Sequence, residues 1–183
     1  MLVLSVGNLP LANPGVYTTA DSVTVEDSKA DFPRLNELGV EILWFMPIHP
    51  ISEKNRVGSL GSYYAVDDYQ VVNPEFGSIE DFESLVDTAH EMGFKVVLDW
   101  VANHTGWDNE WTENEGWYTT DTEGNIVIPQ GTNWRDVANL NFGNADMRNA
   151  MIGAMKYWVR ELDVDGFRAD YAAGVPQDFW ETA

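Results

Sequence analysis

The sequence predicts an α/β fold of parallel βα units, and three observations predict it. First, an amphipathic, helix-like stretch ends at a short turn and feeds an apolar run three times over: KADFPRLNELGVEILWFMPI, FESLVDTAHEMGFKVVLDWV and MIGAMKYWVRELDVDGFRADY. Second, the run FKVVLDWV is β-branched and nearly continuous in hydrophobicity, as a strand buried on both faces must be. Third, the segments after the strands are long, about 47–78 and 101–145, while the connections before them are short. Long loops at the carboxyl ends of parallel strands are where such folds build their sites.

The elements follow in order. A first strand should precede the first helix, and both LVLSVG (2–7) and GVYTTA (15–20) are candidates. A helix is expected near 28–38, stopped at Gly39, and a strand near 40–46, terminated by Pro47 and Pro50. Phe82, Leu85, Val86 and Ala89 recur at 3-to-4 spacing and predict a helix near 79–92. Gly93 supplies its stop, and a strand follows near 95–100. The third repeat gives a helix near 146–162 and a strand near 165–169. Four strands and about three helices amount to roughly half of a TIM-type (β/α)8 barrel, read here as one partial domain over 1–183. A small open sheet with helices on both faces is the other arrangement.

Composition narrows the function. Hydrophobic residues make up 44% and aromatics 13%, which argues for a packed core rather than disorder. Eight Trp, seven Tyr and eight Phe are mostly core, and flat rings also stack on pyranose faces. Ten basic against 30 acidic residues give a formal charge of −20, which disfavours nucleic acid and anionic membranes and favours neutral or cationic ligands. With no cysteine there is no disulfide, thiolate nucleophile or cysteine metal site. The opening MLVLSVGNLP lacks the basic and apolar regions of a signal peptide, and no window approaches the ~20 apolar residues of a membrane span. A soluble chain is expected, in the cytoplasm or secreted.

Three stretches carry chemistry. DWVANH (99–104) places an acid, an amide and an imidazole within six residues at a strand's carboxyl end, a grouping that packing does not require. In GFRAD (166–170), Arg168 and Asp170 alternate onto one face of a strand, roughly 6–7 Å apart. An arginine near a carboxylate favours its ionised form, as a glycosidase nucleophile needs. From spacing alone, a structural ion pair closing the strand end is the slightly favoured reading. GSYYAVDDYQVVNPEFGS (61–78) is a polar loop with aromatic anchors.

Taken together, these stretches resemble the alpha-amylase family, glycoside hydrolase family 13, with its catalytic (β/α)8 barrel. DWVANH is similar to the signature D-x-x-x-N-H and GFRAD to G-x-R-x-D. VANLN (137–141) resembles the short region upstream, and the tyrosine loop with NPEFGS resembles the stretch after strand two. The resemblance runs from about Asp31 onward and implies roles. Asp170 would be the nucleophile of a retaining mechanism on α-glucan such as starch, and Arg168 would hold its ionisation and position. His104 would hydrogen-bond sugar hydroxyls, Tyr64 would stack on the sugar, and Asp99 would brace Arg168. Asn103 would ligate calcium in calcium-dependent members.

The sequence also departs from the family pattern. Asn139 stands where the family carries a calcium-ligating Asp, which removes a charge and should weaken calcium. Ala173 and Gly174 stand where many amylases carry Lys-His. The family's general acid lies on the fifth strand and a second Asp after the seventh, and residues 171–183 hold neither. Glu181 falls in a helix-like tail, and Asp108, Glu110, Glu113, Glu115, Asp121 and Glu123 read as solvated loop charges. A half barrel has exposed edges, so a homodimer completing the ring is one expectation and a fragment of a longer protein another. Besides catalysis, α-glucan binding without hydrolysis and a purely structural role fit the residues.

Overall fold

The computed structural model describes the backbone of residues 3–6 and all of residues 24–183. In chain order the elements are β1 (Val3–Val6), α1 (Val25–Ala30), α2 (Phe32–Glu37), β2 (Ile42–Phe45), α3 (Ile79–Glu91), β3 (Lys95–Trp100), β4 (His104–Gly106), β5 (Val137–Asn139), α4 (Ala145–Glu161), β6 (Gly166–Ala169) and α5 (Gln177–Trp180). The chain divides into two compact units. The first holds residues 1–48, 72–99 and 158–168, and the second 49–71, 100–157 and 169–183.

The first unit is built on a four-stranded sheet of order β1-β2-β3-β6. β1 pairs in parallel with β2, Val3 opposite Ile42, and β2 in parallel with β3, Ile42 opposite Lys95. Asp165 N–H donates to Val96 O and Asp170 N–H to Trp100 O, both at 2.9 Å, so β6 advances in the same direction as β3. Of the two candidate first strands, LVLSVG supplies β1; GVYTTA at 15–20 lies outside the described residues.

Local chemistry sets the repeat. Ser78 caps α3: its Oγ accepts from Asp81 N–H at 3.1 Å while Asp81 Oδ2 accepts from Ser78 N–H at 2.7 Å. At the other end Gly93, at φ +87°, donates to His90 O, and Phe94 N–H donates to Ala89 O. Gly39, at φ +77°, repeats this after α2, with Val40 N–H donating to Leu35 O. Both helices therefore stop on the same left-handed turn and drop an apolar residue into the next strand. After α4, Asp163 takes the left-handed position at φ +52° without a glycine.

The helix expected over 28–38 is two helices. The chain breaks at Asp31 because Pro33, near the start of α2, lacks an N–H and excludes an unbroken helix through it. The core of this unit is a run of edge-packed rings: Phe32 on Phe94 at 5.5 Å, Phe45 on Phe82 at 6.3 Å and Phe82 on Trp158 at 5.6 Å.

The second unit gathers the long segments. The stretch read as loop from 101 to 145 contains its own antiparallel ribbon, in which His104 of β4 faces Asn139 of β5. Buried Tyr69 ties the backbone there, its hydroxyl within 2.7 Å of Val101 O and 2.9 Å of His104 O. The Tyr69 ring packs at 5.2 Å from Trp100 and 5.1 Å from Trp111. Phe179 of α5 meets Phe142 edge-on at 5.0 Å, and Arg148 reaches Asp178 at 2.9 Å. Among the described residues no helix is long and apolar enough to cross a membrane.

Candidate active site

In the first unit, Asp99 is the penultimate residue of β3 and fully buried. Arg168 lies on β6 and its side chain is 42% exposed. Its Nη1 donates to both carboxylate oxygens of Asp99, at 2.9 and 3.1 Å. The guanidinium carbon stands 5.1 Å from the centre of the Trp44 ring on β2. A buried carboxylate without such a partner would be expensive, and the pair fixes the direction of Arg168. Asp170 follows two residues later in the chain.

In the second unit, Ser62, Tyr64, His104, Trp134, Asp136 and Asp170 line a pocket of about 260 Å³. Thus Tyr64, His104 and Asp170, which the sequence places 40 and 66 residues apart, come to one cavity. Tyr64 is set by a tight local turn in which its N–H donates to Ser62 Oγ at 3.2 Å. His104 opens β4 and is buried. Burial pushes its imidazole down to about 4, against the opposing pull of the Asp170 charge, the Tyr64 backbone and the Asp136 charge. The ring is therefore neutral near pH 7. Asn103 Nδ2 lies 3.2 Å from its Nδ1, which fits a ring protonated at Nε2. The neutral ring has one donor and one acceptor nitrogen, and Asn103 engages the acceptor, Nδ1.

Trp134 stands edge-on to His104 at 5.6 Å and to Tyr171 at 5.2 Å. Tyr171 takes a left-handed backbone at φ +43°, an uncommon conformation for a bulky residue, directly after Asp170. Gly174 makes room for it: a Cβ there would fall 2.3 Å from Tyr171 Cε1 and 2.6 Å from Asn103 Oδ1. The glycine that departs from the family pattern thus has a packing reason here.

The loop acids fall elsewhere. Asp108 accepts from Ser52 Oγ and from the Glu53 and Lys54 N–H groups, and Asp121 accepts from the N–H groups of Glu123 and Asn125. Neither they nor Glu110, Glu113, Glu115, Glu123 and Glu181 line the pocket. Of the calcium candidates, Asn103 precedes β4 and Asn139 ends β5, its Nδ2 donating to Thr119 Oγ1 at 3.0 Å. Among the described residues no three carboxylate, imidazole or thiolate groups converge. Calcium takes roughly six to eight oxygens and draws much of its affinity from carboxylates, so a site built on these two amides would need further oxygen donors.

Trp134, Asp136 and Trp44 were not among the site residues read from sequence. A signal existed for two of them. In NWRDVANLN, Trp134 and Asp136 alternate in an extended run leading into β5, so they share a side.

An aspartate, a neutral histidine and aromatic rings gathered into one cavity make a candidate enzyme site. Residues 29–131 match the family model described as alpha amylase, catalytic domain, and the chain belongs to the alpha-amylase family. Alpha-amylase 3 of Dictyoglomus thermophilum is 34% identical over 161 residues, covering 77% of this chain and 31% of its own. An alpha-1,4-glucan:maltose-1-phosphate maltosyltransferase of Cereibacter sphaeroides is 32% identical over 178 residues, covering 86% of this chain and 30% of its own. The crystal structure of an alpha-amylase from Lactobacillus plantarum superposes with a TM-score of 0.81 at 44% identity, over 86% of this chain and 37% of that one. The parallel βα units are thus part of a (β/α) barrel, and the chain spans about a third of the length of these relatives. At the level of the family, glycoside hydrolase or transferase chemistry is supported.

Proposed function

We propose that this chain carries the nucleophile half of a retaining α-glucosidic site acting on starch-like glucans. The observation that carries the reading is the single cavity shared by Tyr64, His104 and Asp170. In it, Asp170 attacks the anomeric carbon, a bond forms from its carboxylate to that carbon, and the leaving oxygen departs with the bonding pair. Water later displaces the carboxylate and restores the starting configuration. Tyr64 offers a ring face to the pyranose and His104 holds hydroxyls. Arg168, oriented by Asp99, is a positioning residue for the strand end that leads to Asp170. The leaving oxygen also needs a proton, supplied in retaining enzymes by a second carboxyl group roughly 5–5.5 Å from the first. The family resemblance assigns that acid to a later strand than β6. A second copy closing the ring is a separate proposal, which a light-scattering mass of one chain would refute.

The test is reducing-sugar release from starch by wild type and by Asp170→Asn. Loss of activity in the variant, with an unchanged melt, supports the reading, and equal activity refutes it. Binding of maltooligosaccharide without product would favour a glucan-binding role, for which the aromatic-lined pocket supplies the contacts.

A further inference from the structure

We propose that Asp136 is a specificity-determining residue of the pocket, accepting hydrogen bonds from sugar hydroxyls and excluding sugars that carry a carboxylate, with Trp134 beside it as an apolar wall. The proposal rests on the reading of the pocket as a sugar site and deepens it.

Asp136 is half-buried and lines the cavity, yet among the described residues no hydrogen bond or ion pair engages its carboxylate. A half-buried carboxylate with no protein donor has its acceptor sites open to water or to a bound ligand. Its place is also held firmly. Trp107 Nε1 donates to Arg135 O at 2.9 Å, which pins the backbone between Trp134 and Asp136. The next residue, Val137, starts β5 and is 3% exposed. Trp134 and Asp136 are therefore presented together, ring and carboxylate on one wall.

The chemistry of that wall selects its ligand. An ionised carboxylate only accepts hydrogen bonds, and a pyranose rim is a row of hydroxyl donors. An indole beside it suits the apolar C–H face of the same ring. The ionisable groups lining the cavity are Asp136, Asp170, Tyr64 and the neutral His104, with no cation among them. A neutral sugar meets acceptors it can satisfy, whereas a uronate brings a like charge into a partly desolvated site.

Calorimetry on the 183-residue chain tests this with two probes: maltotriose, and maltotriose oxidised to a carboxylate at one C6. The variants are D136N, D136A and H104A, with melting temperatures recorded to confirm folding. We expect D136A to weaken maltotriose about tenfold, the scale of one lost charged hydrogen bond. D136N, which keeps the shape, should narrow the preference for the neutral sugar by about fivefold or more. If both Asp136 variants bind the two sugars as wild type does while H104A loses maltotriose, the role of Asp136 is refuted and the pocket stands. If wild type binds neither sugar, the pocket reading falls and this proposal with it.

Discussion

A histidine buried between two carboxylates feels opposite pulls on its proton, and in His104 burial wins, lowering it from 6.5 to about 4. His49, fully enclosed near Val71 and Asp68, is lowered to about 4 for the same reason. The sign of the pH dependence follows. Between pH 6.5 and 4 the unfolded chain binds protons that the folded chain refuses, so this stability is fully present above 6.5 and drains as pH falls towards 4. Each ring accounts for on the order of 3 kcal/mol. Asp67, raised above its usual 3.8 by burial and by Asp108, Asp68 and Glu53, works the opposite way, favouring the folded chain as pH falls through its raised value. Melting temperature should therefore fall between pH 7 and 4.5, and less steeply in His104→Gln; equal slopes would contradict the account. At this scale DWVANH and GFRAD named Asp99, His104, Arg168 and Asp170, and the family resemblance, not spacing, named Asp99 as the brace of Arg168, where the geometry records it. The partner sits 69 residues away, and no local pattern reports that.

At the level of elements, the repeat works because α3 is bounded by chemistry at both ends. Ser78→Ala removes one half of a reciprocal cap and should cost about 1 kcal/mol. Gly153, exposed in the middle of α4 with no atom within 4 Å of an added Cβ, should accept Ala with a gain of roughly 0.5–1 kcal/mol. Paired urea titrations check both, and a change of the wrong sign in either refutes the assignment. α3 was legible because its apolar residues keep 3-to-4 spacing and it stops at Gly93, and β2, β3 and β6 because each is a short run that follows such a helix. The ribbon of β4 and β5 was not, since three-residue strands are too short to show alternation. The break between α1 and α2 was missed although Pro33 marked it.

At the level of the molecule, a charge of −20 and a pocket without a cation point the same way, towards neutral ligands. The donors around Asn103 and Asn139 predict that EDTA leaves the melting temperature unchanged to within about 1 °C, because a weak site stabilises little. A fall of several degrees would show that calcium is held after all. The central claim is that Asp170 is the carboxylate that bonds to sugar. A slow fluorinated α-glucosyl fluoride tests it most directly, because fluoride leaves without needing a proton and so the outcome does not depend on a general acid. Mass spectrometry of the digested protein should find one glycosyl group on the peptide containing Asp170, and none in Asp170→Asn. Labelling on any other carboxylate, or labelling that survives the substitution, would contradict the account.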